Sequence, residues 1–420
     1  MSELAAKTRL QQLPLVSRLP VRAKVDGFRA LGLARHGVAR FLRAIPGSWR
    51  FLGLPSRRIR SLKNWIQQQR AALDWMDKCK GTYYDALFAP VPVSRHPPQN
   101  ALGETHHHAF TVERYHVHNE VYLARIPRGR VLGPDGTVIL PDGGIVEESV
   151  WGQGWLGRDR SLTALRLPRP EFKLGSYFTV ATPFSEGFAH WVLDVLPRFY
   201  SLGRLPADDM RILVAKPLNS WQRESLELLG IDASRIEVLG PNYVAPEILY
   251  FPSFVGDPGN EHRDGMQWLR DKLLGNFASA RKDRRLYISR RLAARRRILN
   301  EAELYPILHD HGFEIVEAER MSFRDQVELL SQTEAVVSLH GAGLSNILFA
   351  ARGCKVLEIF DPDHVKVMYW ALADVLEHEY WYCIGQKTAH TAGQHQATGH
   401  DDVIIPPAEF AHALTRIFGK

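Results

Sequence analysis

Between residues 177 and 375 the chain alternates short β-branched or aromatic runs with longer amphipathic ones, and this alternation constrains the fold more than any other feature. Strands are predicted at 177–180, 211–215, 236–239 and 248–251, with helices at 189–202, 220–229 and 262–277. A charged hinge at 281–285 opens a second series, with strands at 286–289, 313–316, 335–339 and 355–360 and helices near 301–311, 323–332 and 344–351. Alternation at this spacing implies parallel sheets with right-handed crossovers. Two such series imply an α/β protein with two Rossmann-like domains facing a cleft. Upstream, 90–175 reads as a small β-rich region, with a Gly133-Pro134-Asp135-Gly136 turn and a break at Asp142-Gly143-Gly144.

Charge divides the chain. Residues 1–80 hold 17 Lys+Arg against 4 Asp+Glu, leaving 36 against 42 in the rest, so a head of +13 precedes a body of −6. The acidic body speaks against a nucleic-acid partner despite the overall charge of +7. Across 24–45, apolar residues from Phe28 to Ile45 recur at helical spacing with arginines largely elsewhere, a pattern suited to an anionic membrane surface. No run approaches the roughly 18 apolar residues of a membrane-spanning helix, and 1–15 lacks the core of a signal peptide. Three widely spaced cysteines, Cys79, Cys354 and Cys383, support neither a disulfide framework nor a cysteine zinc site, and fit a reducing, cytoplasmic setting. The expected organisation is a basic helical extension over 1–80, an N-terminal domain over 81–278 that includes the β-rich region, and a Rossmann-like domain over 279–420.

Three stretches carry chemistry. In the first, a strand at 335–339 runs into His340-Gly341-Ala342-Gly343 and then a helix, aiming backbone N–H groups at whatever lies above the sheet. That arrangement suits a phosphate, though GxGxxG is incomplete and the P-loop lysine is absent. In the second, five arginines (290, 291, 295, 296 and 297) follow a strand, where guanidinium forks suit diphosphate oxygens. Asn300 with Glu303, and Ser322 with Asp325, read as helix caps. Glu358, alone in an apolar strand, is placed either to accept from a ribose or to pair in the core. In the third, His190 and Asp194 lie four apart on a helix, so one carboxylate can orient one imidazole as a general base. His116 with His118, near 106–108, and the acidic pair of Asp361-Pro362-Asp363 are weak metal signals, and no metal is expected.

Taken in order, His190-Trp191-Val192-Leu193-Asp194-Val195-Leu196-Pro197-Arg198, Ser289-Arg290, Arg296–Glu301, His340–Leu344 and Val356–Ile359 resemble glycosyltransferase family 61. The resemblance covers about 177–375. It implies a GT-B fold and inverting transfer from a nucleotide-sugar donor without an essential metal or other cofactor. It implies further that Arg290 and Arg296 hold the donor diphosphate, that His340, Gly341, Ala342 and Gly343 contact the nucleotide sugar, and that Glu358 meets the ribose. His190 and Asp194 match the family's paired acceptor-side positions, with His190 preferred as the base. The bacterial branch is expected, acting on a lipid-linked capsular, exopolysaccharide or lipopolysaccharide-type acceptor at the cytoplasmic face of the inner membrane. Alternatives are another GT-B-like transferase, such as a polysaccharide pyruvyl transferase, or a non-catalytic membrane-associated adaptor.

Overall fold

The computed structural model describes residues 41, 54–55, 57–72, 82–103, 106–151, 164–205, 210–275, 277, 282–387 and 401–419. Apart from Phe41, the expected membrane-surface helix across 24–45 lies outside these residues, as does Arg281 of the hinge. Among the described residues no helix is long and apolar enough to cross a membrane.

The second strand series forms a six-stranded sheet, parallel throughout. Its order is Phe313–Val316, Arg284–Ile288, Thr333–Leu339, Lys355–Phe360, Glu379–Ile384 and Gln99–Asn100. Val336, Val337, Val356 and Leu357 are fully buried, as expected of central strands covered by helices on both faces. One face packs on helices Glu301–Asp310 and Pro407–Phe418 through Leu304, Leu308, Phe410 and Leu414. The other packs on helix Phe323–Ser331 and on Ala342–Phe349, in a core that continues without a break to Val192, Val195, Phe178 and Ile212 of the first series. Apolar burial on this scale, at about 25 cal/mol per Å², couples the two halves.

The first series belongs to a ten-stranded mixed sheet. Strands Tyr243–Pro252, Glu171–Thr179, Arg211–Val214 and Ile236–Val238 run parallel. Much of the 90–175 region joins this sheet, within the 81–278 span where the sequence expectation places it. Strand Tyr243–Pro252 is long enough to pair antiparallel with both Val121–Pro127 and Arg130–Leu132, so the β-rich segment extends the same sheet. The 133–136 turn does join Arg130–Leu132 to Thr137–Ile139, with Gly136 at φ 74°.

A correction concerns 99–112. This stretch leaves the first half and docks on the second sheet: Gln99–Asn100 pairs with the Glu379–Ile384 strand, and the Ala101 N–H donates to the Tyr382 carbonyl at 2.8 Å. The expected strand texture at its end is instead a short helix, His108–Val112, which sets Phe110 among Trp370, Tyr382 and Phe360. An aromatic so placed gains more from burial than from alternation on a strand.

Candidate active site

The site is built where three strands of the parallel sheet end. Strand Thr333–Leu339 passes into His340, whose N–H donates to the Ile359 carbonyl at 2.8 Å, keeping the turn on the sheet. Gly341 sits at φ 174°, which any residue adopts, so its small size is what matters. A Cβ there would fall 1.8 Å from Nη1 of Arg290. The glycine therefore makes room for the Arg290 guanidinium. Gly343 has a milder version of the same role against Ile288, where an added Cβ would lie 3.1 Å from Cγ2. Ala342 and Gly343 begin a helix of 3-10 geometry, Ala342–Phe349, buried from Leu344 to Phe349.

The five arginines separate by partner. Arg291 is ion-paired with Glu317, and Arg297 with Asp402 at 2.7 Å. Arg290 and Arg296 have no carboxylate ion-paired or hydrogen-bonded to them among the described residues. Arg290 donates from Nε and Nη2 to the carbonyls of Arg296 and Arg295, at 3.0 and 3.2 Å. Arg296 adopts φ 56°, a left-handed conformation unusual outside glycine, and its Nε is buried without a partner. Burial lowers the pKa of both arginines; the Arg296 charge lowers Arg290 further while Glu319 offsets it, and for Arg296 the effects of Tyr369, Asp361 and Glu358 oppose that of Arg295. Two partly buried cations with spare donors and no ion-paired carboxylate suit an anion, although Glu186 and Glu319 also line the cavity beside Arg290.

Beneath them lies a buried chain. His340 Nδ1 is 2.5 Å from Glu358 Oε1, and Tyr380 Oη donates to Glu358 Oε2. Glu358 is 0% exposed with both oxygens engaged, so it offers no face to a ribose. Of the two roles considered for it, the core partner is the one the structure supports. The reason is that both faces of the Lys355–Phe360 strand are covered, so a carboxylate on either face is buried. Burial, with Arg296 and Arg290 nearby, pushes His340 down to about 3, and burial raises Glu358 well above the carboxylate range. His340 is thus an uncharged imidazole held from below.

On the facing side, 188–204 is helical as expected but changes type along its length. Phe188–His190 is a single α turn, Trp191–Val195 has π geometry and Leu196–Arg204 is 3-10, with Pro197 lacking the N–H that an α-helix requires. Trp191 Nε1 donates to Ser225 Oγ at 2.8 Å, and Arg198 donates to the carbonyls of Thr179 and Pro252. These anchors fix the segment to the ends of the first sheet. His190 Nδ1 lies 2.6 Å from Asp194 Oδ2, the carboxylate being buried and the imidazole 36% exposed. Burial raises the Asp194 pKa, and the His190 contact partly offsets this. No partner is recorded for His190 Nε2 among the described residues, which leaves that nitrogen available to a substrate.

The Phe188–His190 turn packs on Ala342–Phe349, which joins the two groups. Between them opens a cavity of about 320 Å³, walled by Phe188 and Trp221 on one side and Ser289, Arg290, Met321 and Gly343 on the other. His190, Asp194, Arg296, His340, Gly341 and Glu358 are not in its lining. Phe188, Trp221 and Tyr380 were not singled out from sequence, since aromatics near a helix start or within a strand carry no signal apart from core packing. The metal signals lead elsewhere. His116 pairs with Asp257, Asp363 pairs with Lys387, and no group of three or more His, Cys, Asp or Glu is arranged to hold a metal among the described residues.

Comparison with known proteins agrees with this assembly in extent. Residues 188–357, from the first residue of the His190 turn to the strand that carries Glu358, match the family model Glycosyltransferase 61. The chain is similar to protein O-linked-mannose beta-1,4-N-acetylglucosaminyltransferase 2 of Canis lupus familiaris, 36% identical over 114 residues, 25% of this chain and 20% of that protein. The Bos taurus protein of the same name is 34% identical over 138 residues, 31% of this chain and 23% of that one. EGF domain-specific O-linked N-acetylglucosamine transferase of Drosophila melanogaster is 33% identical over 91 residues, 20% and 17% of the two chains. The chain therefore spans about a fifth of the length of the curated relatives it matches.

Proposed function

Starting from the Glycosyltransferase 61 match over 188–357, we propose that the protein is a GT-B-like glycosyltransferase that uses a nucleotide-sugar donor. The observation that carries this reading is the pair Arg290 and Arg296, cations without a carboxylate partner at the ends of parallel strands, where a diphosphate would complete the charge balance. In this reading both bind the donor diphosphate, the 340–343 turn contacts the nucleotide sugar, and Glu358 holds His340 instead of meeting the ribose. His190 takes the proton of the acceptor hydroxyl at Nε2, and Asp194 stabilises the imidazolium that results. Attack opposite the leaving diphosphate inverts the anomeric centre, the arginines doing the work that a metal does elsewhere.

Both relatives' names specify transfer of N-acetylglucosamine to protein-linked acceptors, which makes that sugar the first donor to test and a protein-borne glycan the first acceptor. Nothing among these relatives supports the capsular or other surface-polysaccharide acceptor expected from sequence, so it ranks second.

The reading is tested with nucleoside diphosphates and nucleotide sugars, with and without EDTA, by thermal shift. A ligand at 100 times its dissociation constant adds about 2.7 kcal/mol to stability. Arg296→Ala should lose most of that shift. His190→Ala should keep it and lose turnover by about 10²- to 10⁴-fold. Normal turnover in both variants would sink the assignment.

A further inference from the structure

A second cavity, of about 540 Å³, opens against Trp151, a neighbour of the His190 imidazole. Its volume falls within the roughly 300–1,000 Å³ typical of small-ligand sites. Trp151 is part of its wall and also stands 6.0 Å from the His190 ring, centroid to centroid. Phe184 packs against both rings, at 5.5 Å from Trp151 and 5.2 Å from His190. Glu186 and Phe188 line the Arg290 side, and His190, in the lining of neither cavity, packs on the tryptophan that walls the other. A general base belongs between the two substrates.

The chemistry of the lining narrows what it takes. Aromatic surface comes from Trp151, whose face suits the C–H side of a pyranose ring, while Tyr84 stacks on Tyr122 at 4.6 Å and lies under the Lys63 ammonium. The charged groups are occupied with one another. Glu120 accepts from Lys63 at 2.8 Å and from Tyr84 Oη at 2.6 Å. Glu148 accepts from Tyr122 Oη and from the Phe254 N–H, both at 2.6 Å. Asp257 is engaged by Asn119 and His116, and Glu147 by Arg58 and Arg60 at 3.7 Å. Four carboxylates against three cations leave no surplus positive charge for an anion.

We infer that this cavity is the acceptor subsite and that it receives an uncharged pyranoside end, with any charged carrier outside it. The inference rests on the glycosyltransferase reading for the word acceptor, and on the cavity alone for the ligand class. Tyr and carboxylate oxygens that bond one another can exchange to sugar hydroxyls without stranding a buried charge.

The test uses the full chain with two probes. Saturation-transfer NMR reports binding of methyl glycosides of mannose, galactose, glucose and N-acetylglucosamine, with mannose 1-phosphate as the charged counterpart. Titration with UDP reports the arginine site independently. At least one neutral glycoside should bind, and Trp151→Ala should weaken it by about tenfold or more while changing UDP affinity less than about twofold. Tyr84→Ala, farther from the imidazole, should weaken the same glycoside and carries the test if the tryptophan variant fails to fold. Preference for the sugar phosphate, or glycoside binding indifferent to both variants or absent, overturns the inference. Glycoside binding that depends on Trp151 without any nucleotide binding would instead keep the cavity as a glycan site and remove the glycosyltransferase reading.

Discussion

At the scale of single residues, the site depends on atoms that are missing as much as on those present. Gly341→Ala places a methyl within 1.8 Å of the present Arg290 Nη1 position, so the guanidinium must leave. That variant should fold, since φ 174° suits alanine, yet lose the nucleotide-dependent thermal shift. A normal shift would mean that Arg290 is not where the anion binds. A different buried group governs the response to pH. Glu261, 2% exposed, has one oxygen without a partner, and burial together with the Asp194 charge pushes its pKa up to about 8. A carboxyl raised in the folded state binds more protons there than in the unfolded chain. Its stabilising share is full below the unfolded value and is lost as pH rises through about 8, by at most about 1.4 kcal/mol per pH unit. Glu261→Gln should flatten that decline, so urea midpoints of the variant and the parent should diverge between about pH 5 and about pH 8. Parallel midpoints would remove Glu261 as the cause.

At the scale of elements, the sequence was most informative where period and caps agree. Ser322 does accept from the Asp325 N–H at 3.1 Å, and the strands at Phe313–Val316 and Lys355–Phe360 lie where apolar runs put them. Asn300 stands at the start of the Glu301–Asp310 helix yet makes no side-chain cap. Its amide instead exchanges two hydrogen bonds with the backbone of Ile405, at 2.8 and 3.0 Å, a partner 105 positions away that no local pattern announces. Asn300→Ala should therefore cost about 1–3 kcal/mol through an unpaired Ile405 backbone, more than a frayed helix end would. Denaturation that falls below a few tenths would favour a local role. The His190–Asp194 contact was legible from its spacing, but its π geometry was not, because 190 and 194 face each other in α as well. Glu358 was ambiguous for a related reason. A strand buried on both faces has no outward side for alternation to reveal.

At the scale of the whole molecule, the parallel sheet of the second half could be read from local pattern, whereas the ten-stranded sheet could not. Its middle depends on Tyr243–Pro252 meeting strands more than a hundred positions earlier, a register set by long-range packing and twist. The same holds for Gln99–Asn100, a two-residue strand that closes the edge of a sheet whose other members all lie beyond residue 283. That edge has a consequence for how the protein is made. The ribosome releases residue 100 long before its partner Tyr382 exists, and at roughly 5–20 residues per second the wait lasts from about a quarter of a minute to about a minute. Through that interval Phe110 and its neighbours have nothing to cover them, and a chaperone that shields nascent apolar segments has a defined client here. Expressed by itself, 282–420 should aggregate along the uncovered Glu379–Ile384 edge, and co-expression of 1–281 should return it to a single species by size-exclusion chromatography. A lone, monomeric and cooperatively folding 282–420 would show that the early strand is dispensable, and that birth order leaves no mark on this fold.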